Sequence, residues 1–194
     1  TTRRRPYNRH AGVTFVPDVT PYEFMKIRIL NGGHAVIAYI GSLLDVHFVH
    51  DAMAHPLIGE FFAKIEREEI IPTVPPVPDT DLDDYYRLIK RRFSNPKIGD
   101  TIPRLAFDGS NRQPKFIVPV VRDRLKAGQG ISGLALESAL WCRYCFGTTS
   151  TGKTIAPNDP IWDRLQSTAR AAKEDPLRWL AMGDRPFHVE IDTG

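Results

Sequence analysis

After its first twenty residues this sequence carries helix signals almost without interruption, and it never alternates strands with helices. The first signal is Thr20-Pro21-Tyr22-Glu23. It reads as a capping box, with Thr20 as N-cap, Pro21 at the first helical position and Glu23 at the third. Behind it Phe24, Ile27, Leu30, Ile37, Ile40 and Leu44 form a mostly buried pattern. That pattern predicts a helix running on towards Ala54, with Gly32, Gly33 and Gly41 as weak points. Pro56 closes it, and Leu57 to Ile70 predicts a second, amphipathic helix. The stretch Pro72 to Pro78 is read as extended. Thr80 or Asp81 caps a helix to Phe93, with Leu82, Tyr85, Tyr86 and Ile89 on its apolar face. Asp100 and Thr101 open a short piece containing Arg104, and Pro114 opens a helix to about Ala127 that bends at Pro119. Ile131 to Phe146, the most apolar helix, is expected at the centre of the core. Asn158-Asp159-Pro160 and Asp175-Pro176 each start another helix, and Ala11 to Val19 reads as one edge strand or an extended lead-in. The expectation is an all-α fold, with residues 1–194 forming one helical domain.

Composition narrows the class without naming a function. The chain is 42% hydrophobic and 25% charged, as soluble globular proteins are, and no apolar run approaches the roughly 20 residues a membrane helix needs. Thr1 to His10 is polar and arginine-rich, without the apolar centre of a signal peptide, so a cytoplasmic protein is expected. A net charge of +3 is too small to imply nucleic acid. The short runs Arg3-Arg4-Arg5 and Lys90-Arg91-Arg92 read as a flexible end and a solvated helix face. Cys142 and Cys145 cannot make a disulfide framework, which agrees with a reducing compartment.

The strongest local feature is the run from Lys26 to His34, KIRILNGGH. On an α-helix, Asn31 and His34 lie about 60° apart and His34 and Lys26 about 80°, so all three fall within an arc of about 140°. Polar groups clustered on an otherwise apolar helix must find partners or line a cavity. Gly32 and Gly33 beside them are tolerable where a ligand or another backbone approaches closely. The trio suits carbonyl/alcohol chemistry. A partly desolvated lysine can act as general base, an asparagine amide can stabilise a developing alkoxide, and a histidine can orient a hydroxyl. The same residues also fit a buried helix in which Lys26 snorkels while Asn31 and His34 bond to backbone. Chemistry alone leaves both readings open.

The pattern Lys26-x4-Asn31-x2-His34 resembles the signature of the polyol-specific long-chain dehydrogenases. A second block follows in the right order: Asn95-Pro96, then Asp100 to Arg112 (DTIPRLAFDGSNR). It is similar to the family's segment bearing a substrate-binding arginine, followed eight residues on by another basic residue. The similarity extends from about Gly12 to near Gly183. It implies a multi-helical substrate domain like the C-terminal domain of 6-phosphogluconate dehydrogenase-like enzymes. Lys26 would be the general base and Asn31 would stabilise the alkoxide. His34, Arg104 and Arg112 would bind the substrate, although Arg112 stands where lysine is common in the family. The reaction implied passes hydride from a secondary alcohol of an open-chain polyol or sugar acid to NAD or NADP, without a catalytic metal. D-Mannitol and D-fructose are the first substrate pair expected, mannonate and fructuronate the second. The resemblance further implies an N-terminal Rossmann domain as partner, of which this sequence carries no sign. The fragment alone is therefore expected to be inactive.

Three competing motifs carry less. Gly147 to Thr154 (GTTSTGKT) matches the P-loop pattern, but a P-loop follows a buried strand and opens a helix, whereas Leu136 to Phe146 reads as helix and Pro157 and Pro160 follow closely. His47, His50, Asp51 and His55 lack a second cluster to complete a metal site. Cys142-x-x-Cys145 has redox spacing but lies inside an apolar helix, so two core cysteines are expected. A non-catalytic all-α binding module remains the reading of a different class.

Overall fold

The computed structural model describes residues 15–180. The Arg3–Arg5 run and the first part of the Ala11–Val19 stretch lie outside them. Every element among the described residues is helical; the sole strand-like pairings are two isolated bridges, Phe48 with Thr101 and Thr148 with Thr154. None of these helices is long and apolar enough to cross a membrane.

Helix α1 (Thr20–Met25), a π-helical segment (Lys26–Gly32) and helix α2 (Gly33–Leu43) run on without a break. The start differs from the capping box. Val19 is the N-cap, and Asp18 accepts the Thr20 N–H at 2.9 Å, so the capping oxygen comes from the aspartate and not from Thr20. The far end differs too. Asp45, at φ 60°, turns the chain after Leu43, and a separate helix α3 (Val49–Ala54) follows. The apolar pattern predicts continuity because it records burial, which is preserved across the turn by Val49 and Ala52.

Pro56 opens α4 (Pro56–Ile65), which passes into a second π segment (Glu66–Ile70) and one 3₁₀ turn (Ile71–Thr73). Pro72 therefore sits in that turn, and the extended chain begins only at Val74. Helix α5 (Leu82–Phe93) is capped as its sequence indicates, with the Asp81 carboxylate accepting the Asp84 N–H at 2.8 Å. Helix α6 (Ile102–Ala106) is the short piece with Arg104.

The next two helices correct the proline reading. Helix α7 (Gly109–Phe116) starts after Asp108, whose positive φ makes the turn, and Pro114 lies inside it. Pro119 instead sits in the first turn of α8 (Val118–Lys126), where its missing N–H is harmless. Helices α9 (Ser132–Tyr144), α10 (Trp162–Ala172) and α11 (Leu177–Leu180) complete the order. Asp159 precedes α10 by three residues and accepts from the backbone N–H and hydroxyl of Ser110, tying α10 to α7.

The centre of the core is α2, not α9. Nine of the eleven residues of α2 are buried, against five of thirteen in α9, where Leu136 is 50% exposed. Alanines and leucines surround α9 on most faces, so apolar content alone overstates its burial. Helix α2 packs against α4, α6 and α9, with Ile37 and Ala38 fully enclosed. At its first residue the packing is close. A Cβ on Gly33 would meet a Glu66 oxygen at 2.8 Å and the Phe62 ring at 2.9 Å. The close approach that this glycine allows is thus to the side chains of a neighbouring helix. Glu69, from the second π segment, accepts the Gly133 and Leu134 N–H groups at 2.7 and 2.9 Å and so caps α9.

Candidate functional site

Asn31, His34, Arg104 and Arg112 line one cavity of about 250 Å³, together with Tyr39 and Phe116. The elements that deliver them are the end of the first π segment, the start of α2, the short helix α6, and α7. Residues separated by 81 positions in sequence reach one cleft because α6 packs along α2.

Lys26 is exposed and lines neither this cavity nor its neighbour. The partial desolvation expected for it is not supplied by the described residues. Its angular relation to Asn31 also differs from the expected one. Lys26 to Gly32 is π-helical, with i→i+5 hydrogen bonds, so Asn31 lies one wide turn beyond Lys26 on nearly the same face. The roughly 140° between them on an α-helix is thereby reduced, a change that no propensity in the sequence announces.

His34 is largely buried and stacks on Phe93, with ring centroids 4.5 Å apart and planes 14° apart. Burial pushes its pKa down to about 4, Asp100 opposes that shift, and Arg104, Arg112 and Arg92 add to it. The imidazole is therefore neutral at pH 7, with one nitrogen to donate and one to accept. Arg104 is clamped by Asp100 through two hydrogen bonds, from Nε at 2.5 Å and from Nη2. Those bonds hold the Asp100 carboxyl below the usual carboxylate range. Arg112 donates through Nη1 to the carbonyls of Arg104 (3.3 Å) and Leu105 (3.0 Å). It thus satisfies free carbonyls of the helix that carries Arg104.

Sequence reasoning missed Asp100 as a site residue, although Asp100 and Arg104 have the i,i+4 spacing of a helical ion pair. It also missed Tyr39 and Phe93, aromatic core residues that nothing in their local sequence distinguishes.

The competing motifs resolve physically. Gly147 to Thr154 forms a loop directly after α9, with no helix immediately behind it. Its amides are spent on protein carbonyls: Thr149 on Lys153, Ser150 on Leu43 and Gly152 on Thr149. Lys153 lies 3.4 Å from Asp45, and Arg143 donates to Thr148. Amides already bonded this way cannot cradle phosphate. His50 stacks on Phe48 and lies 3.4 Å from Asp51, while His47 meets the Phe48 ring edge-on. Cys145 is buried and Cys142 partly so, and both are free thiols inside or just beyond α9.

Comparison with known proteins agrees with this arrangement. Residues 18–193 match the mannitol dehydrogenase C-terminal domain. The chain belongs to that family. It is 64% identical over 178 residues to a mannitol 2-dehydrogenase of Cereibacter sphaeroides, covering 92% of this chain and 37% of the relative. A mannitol 2-dehydrogenase of Aspergillus terreus is 36% identical over 201 residues, covering 97% of this chain and 40% of the relative. The chain thus spans well under half the length of these relatives.

Among solved structures, the Pseudomonas fluorescens mannitol 2-dehydrogenase in ternary complex with NAD and D-mannitol superposes with a TM-score of 0.86. It is 36% identical, over 92% of this chain and 36% of that one. A substrate-free D-sorbitol dehydrogenase gives 0.80 at 28% identity, over 84% of this chain and 35% of its own. The mannitol dehydrogenase C-terminal family thus accounts for the helical fold, and the two motif blocks in the sequence pointed to the same family.

Proposed function

We propose that this chain is the substrate-binding and catalytic-base part of an NAD(P)-dependent polyol dehydrogenase interconverting D-mannitol and D-fructose. One observation carries the reading: Asn31, His34, Arg104 and Arg112 converge on a cavity of hexitol size beside the turn that stacks Lys26 towards Asn31. The described residues contain no glycine-rich turn between a strand and a helix, so they do not fit a dinucleotide by themselves. The reading assigns the nicotinamide cofactor, the oxidant, to a further Rossmann domain of the parent protein. Closure of that domain would supply the desolvation that Lys26 needs.

Within this chain, Lys26 Nζ accepts the hydroxyl proton as the alcohol is oxidised. The Asn31 amide donates to the same oxygen as negative charge develops on it. Neutral His34 donates to or accepts from an adjacent hydroxyl, and the Arg104 and Arg112 guanidinium edges hold further hydroxyls. The sugar-acid pair, mannonate and fructuronate, is the second reading. It is disfavoured because Asp100 already takes Nε and Nη2 of Arg104 and neutralises that guanidinium, leaving Arg112 to meet a carboxylate without it.

The test is cofactor reduction by the full-length parent protein with D-mannitol and with D-mannonate, each with NAD+ and NADP+. Faster turnover of mannitol is expected. Faster turnover of mannonate would transfer the reading to sugar acids, and reduction with neither would sink it.

A further inference from the structure

His34 and Arg104 line both of two neighbouring cavities. The first holds Asn31 and Arg112. The second, about 130 Å³, lies beyond them and is bounded by Phe93, Ile98 and Val49 on its apolar sides, with Asp100, Asn95 and Arg92 as polar groups. A space of that size takes a few waters or a two-carbon polyol fragment, and is too small for a second hexitol.

Three properties of this lobe point to a particular occupant. Its apolar walls suit the C–H flank of a carbon chain. Its polar groups are a carboxylate, Asp100, already paired with Arg104, the Asn95 side chain and a guanidinium, Arg92, so a hydroxyl finds both donors and acceptors there. Arg92, in the last turn of α5, is exposed, and its guanidinium makes no ion pair or hydrogen bond among the described residues. It is therefore free to meet a ligand. The reacting carbon must lie at Asn31, in the first cavity, so whatever enters the second lobe is the end of the chain farthest from the chemistry.

On the proposed polyol reading, we infer that this lobe is a chain-end subsite that takes the terminal hydroxymethyl group of a six-carbon open-chain polyol, with Arg92 donating to its hydroxyl. Arg92 is then a specificity-determining residue that reads chain length. The short Lys90-Arg91-Arg92 run contributes one member to the site and leaves two on the solvated side of α5, where Lys90 and Arg91 border the wide groove beside Asp81 and Asp84.

The experiment compares kcat/KM of the full-length enzyme for D-mannitol and for five-carbon D-arabinitol in wild type, Arg92→Met and Arg92→Lys. Loss of one charge-assisted hydrogen bond is worth about tenfold or more. The expected result is a roughly tenfold fall for mannitol in Arg92→Met, arabinitol changing by less than about twofold, and partial recovery in Arg92→Lys. Equal falls for both polyols, or no change in either, would overturn the assignment. So would a wild type that prefers D-mannonate and loses that preference in Arg92→Met, because the lobe would then take a carboxylate. A wild type that oxidises no polyol would remove the proposed function itself. Normal polyol turnover with an unmoved mannitol/arabinitol ratio would remove the chain-end subsite alone.

Discussion

Lys26–Gly32 and Gly33–Leu43 belong to one uninterrupted helix, yet the first seven residues are π-helical and the next eleven α-helical. The α part is nearly dry: Ile37 and Ala38 are fully buried and α4, α6 and α9 surround it. The π part keeps Lys26 in water and leaves Asn31 half-buried at a cavity. At the junction Gly33 lets Phe62 and Glu66 press against the backbone, so the regular helix is held as a beam from which the wide turn projects. A single helix can therefore divide its work. The half with close-packed neighbours fixes position, and the half with irregular hydrogen bonding presents Lys26 and Asn31, the groups to which the proposed function gives the chemistry.

That division makes separable predictions. On the proposed polyol reading, Lys26→Ala in the full-length protein should lower kcat for mannitol oxidation by roughly 10²–10⁴, the usual contribution of a general base. Its melting temperature should stay put, because the side chain is exposed. Near-normal turnover would break the catalytic half of the comparison. Ile37→Ala should do the reverse. It should cost about 2–5 kcal/mol of stability by denaturant titration, with kcat of the surviving folded enzyme preserved. A loss under 1 kcal/mol would mean that α2 is not the central beam. Asn31→Ala should lower kcat about 10²–10³ with a smaller change in KM, as removal of an oxyanion donor does. A KM effect alone would recast Asn31 as a ground-state binding group.

The smallest effect is a pH dependence with two opposite signs. His34 titrates near 4 in the fold, so stability attached to it is present above about 6.5 and is lost as pH falls towards 4. Glu137 behaves in the other direction. Burial raises its pKa to about 8, against the hydrogen bond it accepts from Gln113. The folded carboxyl is neutral where the unfolded one ionises, so stability falls as pH rises from about 4.5 to 8. Glu66, fully buried without a hydrogen-bond partner among the described residues, is shifted the same way by burial. Between pH 6.5 and 8 the histidine no longer contributes, and the Glu137 carboxyl costs up to about 1.4 kcal/mol per pH unit. Unfolding midpoints measured at pH 6.5 and 8 should therefore decline in wild type and decline less in Glu137→Gln. An identical slope in the variant would show that Glu137 is ionised in the fold.

Local signals made much of this legible. Asp81 caps α5 where the sequence placed a cap, Arg104 sits on its short helix, and the P-loop letters lack the strand and helix that phosphate binding needs. The failures share one cause. The sequence pattern exchanges the roles of Pro114 and Pro119 and favours α9 over α2 as the centre, because propensity and apolar content do not say which neighbour covers a face. The aspartate on Arg104 and the stack of His34 on Phe93 are likewise tertiary facts, except that the i,i+4 spacing of Asp100 and Arg104 could have been read.

By itself the sequence determined the helical class, most helix starts and the order of the two motif blocks, since these depend on capping, period and spacing along the chain. Tertiary structure alone decided that Lys26 to Gly32 widens into π turns, that Gly33 yields its space to Phe62 and Glu66, and that Arg92 faces a second lobe. Each of those depends on what packs against the segment from far along the chain, and a linear pattern records burial without naming the partner.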